Sequence, residues 1–217
     1  MTEKQLRDYW NNKWEKKSVI YTSRTLPKRT TEINTDVRSF ICANDDVVKE
    51  LIEKYDLKKR TYNETAHACQ KFVVDFLTYT DDETNDGAEE FWQFPCETIA
   101  SRLGDCEDGA ILMASLMINA GIPNWRVKVA AGTVQPQPTA PLGGHAYCIY
   151  LADRADKTKE WEIHDWCYFE DSAVPTGKKY LAKDGGYKGV YKDIWFTFNN
   201  QYAWSNEISK VEGRVKD

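Results

Sequence analysis

One run constrains this chain more than any other: Ala110-Ile111-Leu112-Met113-Ala114-Ser115-Leu116-Met117-Ile118, ending at Ala120-Gly121-Ile122-Pro123. A helix apolar around most of its circumference, broken only by Ser115 and Asn119, belongs inside a core. Its limits can be read from the residues. Asp105 is suited to cap the start, Glu107 and Asp108 fill the first turn, and Gly121 with Pro123 stops it. Cys106 falls in that first turn. There backbone N–H groups and the helix dipole favour a thiolate, which is how a cysteine becomes a nucleophile.

The acids at 105, 107 and 108 oppose this. A solvated carboxylate about 6 Å away costs a thiolate roughly 0.7 kcal/mol, or about half a pKa unit. An imidazolium in contact lowers a cysteine pKa by several units, to about 4 in a well-formed pair. A histidine partner is therefore obligatory, and only His67, His145 and His164 are available.

The 217 residues suit one domain with a sizeable core. Mean hydropathy is −0.64, and no apolar run approaches membrane-spanning length, so a soluble chain with no membrane partner is expected. The N-terminal segment is polar and lacks the apolar stretch of a signal peptide, which points to a cytoplasmic location. A net charge of −5 with scattered Lys and Arg gives no basic face for nucleic acid. The cysteines at 42, 69, 96, 106, 148 and 167 form no CxxC pair, so they read as reduced thiols.

Leu6, Tyr9, Trp10 and Trp14 recur at helical spacing among charges and predict an amphipathic helix within residues 1–17. Two tryptophans so near a terminus need covering, either by their own domain or by a partner protein or second copy onto which the arm docks. An extended segment completes an N-terminal arm over 1–43. Helices follow over about 44–55 and 63–79, and the six acids of 81–90 read as a solvated loop. Beyond the central helix the pattern alternates: Trp125 to Ala130, His145 to Leu151 and Glu160 to Trp166 are strands, with further aromatic strands at 187–191 and 194–198. Helices first and an antiparallel sheet after make the chain α+β, with a core over 44–200 and a charged tail over 201–217.

His145 follows Gly143-Gly144 and opens a strand. In the next strand Trp161, Ile163 and Asp165 share one face, and Glu162, His164 and Trp166 the other. A carboxylate beside the histidine strand can hold the imidazole tautomer. The sequence Trp92-Gln93-Phe94-Pro95, Glu97-Thr98, Gly104-Asp105-Cys106-Glu107-Asp108, Ala120-Gly121-Ile122-Pro123, Gly144-His145-Ala146-Tyr147 and Trp161 to Asp165 resembles the transglutaminase-like superfamily. Within it, the likeness is to bacterial transglutaminase-like cysteine peptidases, over about 63–170.

The resemblance implies a papain-like core, the central helix packed on an antiparallel sheet. It also implies Cys106 as nucleophile, His145 as general base and Asp165 as orienter, acting on a protein or peptide. Trp92 and Gln93 are candidates for an oxyanion hole, beside the backbone N–H of Cys106. No cofactor is required, but some such peptidases bind calcium through acids flanking the cysteine, here Asp105 and Glu107. Oxygen ligands suit that hard cation; the simpler reading, that these acids complement a helix N-terminus, is preferred.

His67 and His164 read as structural, and His164 with Cys167 is too thin a set for zinc. An alternative to the enzyme is an assembly protein retaining the fold, such as a component of a bacteriophage particle. Similar proteins are encoded by bacterial viruses, and the arm and the aromatic C-terminal segments would suit that role.

Overall fold

In the computed structural model the described residues are 1–25, 32–168 and 171–204. The buried run forms helix α6 (Cys106–Asn119), and every residue from Glu107 to Met117 is buried. It ends in a Schellman arrangement: Ile122 N–H donates to Met117 O (3.0 Å) and Gly121 N–H to Ile118 O (3.1 Å). Gly121 holds the left-handed φ of +100° that this stop requires.

The elements before α6 are α1 (Glu3–Asn12), β1 (Ile20–Thr25), β2 (Glu32–Asp36), α2 (Asp46–Lys54), α3 (Tyr62–Phe76), β3 (Thr78–Tyr79), α4 (Asp82–Asn85), α5 (Pro95–Ser101) and β4 (Leu103–Gly104). Those after it are β5 (Val127–Val134), β6 (Gly143–Asp153), β7 (Lys159–His164), β8 (Tyr191–Phe198) and β9 (Ala203–Trp204). Strands β7-β6-β5-β8-β9 form one antiparallel sheet in that order. Helix α6 lies between this sheet, through β5 and β6, and helices α2, α3 and α5. The fold is thus α+β, with the expected central helix packed on an antiparallel sheet.

Alternation along the strands fills two cores. Val127, Val129, Cys148 and Tyr150 face α6 with Met113, Leu116 and Met117. Tyr147, Ile149, Leu151, Trp161 and Ile163 form the second core on the opposite face. The tryptophans of the arm are covered there by their own chain: Trp10 meets Trp161 edge-on at 6.0 Å, and Trp14 is buried. The ammonium of buried Lys128 lies 4.6 Å from the Trp14 ring and 3.7 Å from that of Trp204. Of the tail expected over 201–217, Ala203–Trp204 pair with β8, and 205–217 lie outside the described residues.

Three local expectations need correction. The aromatic segment at 187–191 is a 3-10 turn, Tyr187–Gly189, before a single strand β8. The segment 95–101, without an expected element, forms α5 behind Pro95, which sits at its first position as proline tolerates. The acidic stretch 81–90 is not wholly solvated: Asp82 is buried, and its Oδ2 accepts the Phe91 N–H at 2.5 Å.

Gly109 shows how tightly α6 is enclosed. A Cβ there would lie 2.2 Å from Trp166 Nε1, and that indole donates to Cys106 O (3.2 Å). Gly109→Ala gains about 1 kcal/mol of helix propensity yet displaces a buried indole. A net destabilisation of about 1–3 kcal/mol is expected, read as a lowered denaturation midpoint; an unchanged or raised midpoint contradicts this packing.

Candidate active site

Cys106 opens α6, as its sequence requires, but the expected cap works through the third residue of the helix. Asp108 Oδ2 accepts the Asp105 N–H at 3.3 Å, while the same carboxylate takes Gln93 N–H (2.7 Å) and Gln93 Nε2 (2.8 Å). Gln93 Nε2 also donates to Leu103 O (3.2 Å). Gln93 is buried, and these hydrogen bonds tie it to the start of the helix. Trp92 lines the cleft beside Cys106, but its Nε1 donates to Glu90 Oε1 (2.6 Å), which likewise engages that donor.

Cys106 and His145 line one cleft of about 270 Å³, with aromatic walls from Tyr21, Tyr79, Trp92 and Trp195 and acids Glu90, Asp105 and Glu107. Cys106 Sγ donates to Glu107 Oε2 (3.1 Å) and accepts the Ala146 N–H (3.4 Å). Among the described residues, His145 is not a hydrogen-bond partner of that sulfur. Burial pushes the Cys106 thiol well above its ordinary pKa, and the neighbouring Glu107 and Asp105 add to the shift.

His145 comes from the start of β6, opposite Gly132 of β5. A Cβ at Gly132 would lie 2.0 Å from Asp193 O, so only glycine admits β8 this closely. His145 Nε2 and Asp165 Oδ2 are 2.6 Å apart, which leaves Nδ1 as the ring nitrogen free to serve the cleft. Asp165, one residue past β7, is fully buried. Its Oδ2 also accepts the Tyr191 hydroxyl (2.6 Å), and its Oδ1 accepts Cys167 N–H (3.2 Å) and Tyr168 N–H (3.4 Å). Burial alone would raise the Asp165 carboxyl; the charge and hydrogen bond of His145, with the Tyr191 bond, hold it below the usual carboxylate value.

Two supports had no signal in the sequence. Gln70 of α3 donates through Nε2 to Asp165 O (2.7 Å) and Asp171 Oδ1 (2.9 Å); Tyr191 stands 26 residues after Asp165, in a segment without a motif. His164, next to Asp165, points the other way as alternation requires. It is fully buried, and burial holds its imidazole well below the usual value.

Carboxylates crowd the start of α6. Ligand atoms of Asp105, Cys106 and Glu107 lie within 4.8 Å of one another, as do those of Asp82, Asp105 and Asp108. Asp105 Oδ1 and Asp82 Oδ1 are buried without a hydrogen-bond partner. Burial first, then the neighbouring Asp105 charge, pushes Asp82 up to about 7 and raises Glu107 and Asp108 well above the usual carboxylate range. Asp105 itself is raised by burial, against the hydrogen bonds of Glu107 and the charge of His145, which lower it.

A transglutaminase-like domain family, DUF553, matches residues 47–140, a span that holds Cys106 but not His145 or Asp165. No curated protein matches the chain. Legionella pneumophila LapG shares the fold at a TM-score of 0.50 and 17% identity, over 75% of this chain and 87% of that one. Its calcium-bound form gives 0.48 and 19% over the same shares. A candidate cysteine protease from Cytophaga hutchinsonii gives 0.42 and 17%, over 66% of this chain and 46% of that one. No helix among the described residues is long and apolar enough to cross a membrane.

The raised acids fix a sign for pH dependence. A carboxyl whose folded pKa lies above its unfolded value binds protons more tightly when folded, so it costs stability as pH rises from its unfolded value, about 4, toward its folded one. Melting temperature should therefore fall between pH 5 and pH 8, and Asp82→Asn, whose parent carboxyl titrates at about 7, should flatten that fall. A melting temperature that climbs over this range would contradict the buried acidic cluster.

Proposed function

We propose that the protein is a thiol acyl-transfer enzyme, a cysteine peptidase or amidase acting on a protein or peptide. The observation that carries this reading is the 2.6 Å His145–Asp165 bond in a site where His145 shares its cleft with Cys106. Cys106 Sγ attacks the substrate carbonyl carbon while His145 Nδ1 takes the thiol proton; Asp165 holds the ring through Nε2 and stabilises the imidazolium. The backbone N–H of Cys106, at the helix start, faces the developing oxyanion. His145 returns the proton to the leaving amine as the C–N bond breaks, leaving a thioester. Water, deprotonated by His145, then attacks the thioester; the acid departs and the thiolate recovers its proton.

The raised Cys106 thiol needs its acidic neighbours neutralised before it ionises near neutral pH. The all-oxygen set of Asp105 and Glu107, with the unpartnered buried oxygens of Asp105 and Asp82, fits a hard cation such as calcium. Bound there, it would supply positive charge beside the sulfur. The likeness to LapG, which has been described in a calcium-bound form, agrees with this reading without carrying it.

Within the chain Trp10 packs on Trp161 and Trp14 is buried, and no observation separately favours a particle or assembly role.

Two outcomes are expected. Exposed Cys96 should alkylate with iodoacetamide at the pace of an ordinary thiol, with or without calcium. Cys106 should overtake it at neutral pH only when calcium is present, and Asp105→Asn should abolish that response; no calcium effect on labelling or melting removes the cation site. Exposure to a library of peptide-amide probes should give an acyl-enzyme mass that Cys106→Ala abolishes, and His145→Ala should cut its formation by roughly 10²–10⁴-fold. An acyl adduct that survives Cys106→Ala would end the acyl-transfer reading.

A further inference from the structure

We propose that Tyr191 is a positioning residue of this site, its phenol sharing the Asp165 carboxylate with His145 and so setting how strongly His145 holds a proton. For turnover this rests on the acyl-transfer reading; for the histidine's titration it does not.

The geometry is over-determined. Tyr191 opens β8 and is buried, and its hydroxyl donates to the same Oδ2 that meets His145 Nε2, each at 2.6 Å. With Cys167 N–H, Tyr168 N–H and the Cys167 thiol (3.9 Å) on Oδ1, five donors surround a carboxylate that solvent does not reach. The chain before β8 is shaped around the ring. Tyr191 N–H donates to Gly185 O (3.1 Å), and at Gly186, with φ at +67°, a Cβ would lie 2.5 Å from Tyr191 Cδ2. Tyr147 meets the ring edge-on at 4.6 Å. Phenylalanine would fill that space equally well, so the hydroxyl is what distinguishes the residue.

Burial, and Asp165 beside it, push the Tyr191 phenol well above its ordinary pKa, so it stays a donor and its proton is not transferred. A buried carboxylate relieved by one more donor attracts an imidazolium less. His145 then gives its proton more readily to a leaving amine. Removing the hydroxyl concentrates the carboxylate's charge on His145 and makes the imidazolium a poorer acid. The other titratable groups facing these three are Asp105, Cys106, Cys167, Tyr147, Tyr168 and Asp171. All of them remain when Tyr191 alone is changed.

The test follows the His145 imidazole by NMR across pH in the full chain carrying Cys106→Ala, with and without Tyr191→Phe. The midpoint should rise by roughly 0.5–1 pH unit when the hydroxyl is lost. With Cys106 intact, the same change should slow peptide turnover about 10-fold at unchanged KM. Fluorotyrosine at position 191 keeps the shape, donates more strongly and should lower the midpoint; it decides the matter if Tyr191→Phe does not fold. An unchanged or oppositely shifted midpoint overturns the proposal. Failure of the acyl-transfer reading is separate: it would appear as the absence of an acyl-enzyme in the unsubstituted protein while the midpoint still moves.

Discussion

The start of α6 carries its acids into the interior, and the chemistry of the site depends on that burial. A helix N-terminus attracts negative charge by about 0.3–1 kcal/mol, or up to about 2 kcal/mol in favourable buried geometry. Removing a carboxylate from water costs several kcal/mol. The dipole can offset part of one such cost, but Asp82, Asp105, Glu107 and Asp108 meet here. Gln93 supplies hydrogen bonds to Asp108 alone. Asp108 stays raised all the same, as do Asp82, Asp105 and Glu107, and Cys106, embedded among them, is raised with them.

The sheet solves a different problem on the other side of the cleft. Three chain segments distant in sequence must place an imidazole, a carboxylate and their supports within about 3 Å of one another. Antiparallel register does this with little freedom, because a one-residue slip would turn His145 or Asp165 to the wrong face. β6 carries the histidine, the end of β7 carries the aspartate, and β8 returns beside β5 to bring Tyr191 to the same carboxylate. From the helical side, Gln70 of α3 ties down Asp165 O. The C-terminal segment is therefore part of the site's construction.

Much of this was legible in the sequence because it follows from local physics. An all-round apolar run can only be a core helix, and alternation in 161–166 correctly separates Asp165 from His164. What was not legible depended on tertiary partners. Asp82 looks like one more surface acid until Phe91 N–H turns back to it. Nothing in the spacing shows that Gln93 donates to Asp108 through both its backbone and its side chain. Tyr191 and Gln70 belong to no recognisable spacing, since hydrogen bonds to a buried aspartate leave no period in the chain. The pairing of Trp10 with Trp161 likewise joins positions about 150 residues apart.

The two halves of the site differ in readiness. On the sheet side the Asp165 carboxylate is hydrogen-bonded through both oxygens, and the His145 imidazole is held through Nε2. On the helix side the Cys106 thiol is restrained, because Sγ hydrogen-bonds to Glu107 and its thiolate would face charge of its own sign. Whatever lowers the negative charge around Asp105 and Glu107, whether protons or a hard cation, acts on the thiol directly, and through Asp105 it also reaches the His145 ring. The acidic cluster and the aspartate–histidine–tyrosine cluster are joined electrostatically through Asp105, which feels the charge of His145, while the hydrogen bonds that hold the Asp165 carboxylate come from separate partners, His145, Tyr191 and the backbone of Cys167 and Tyr168.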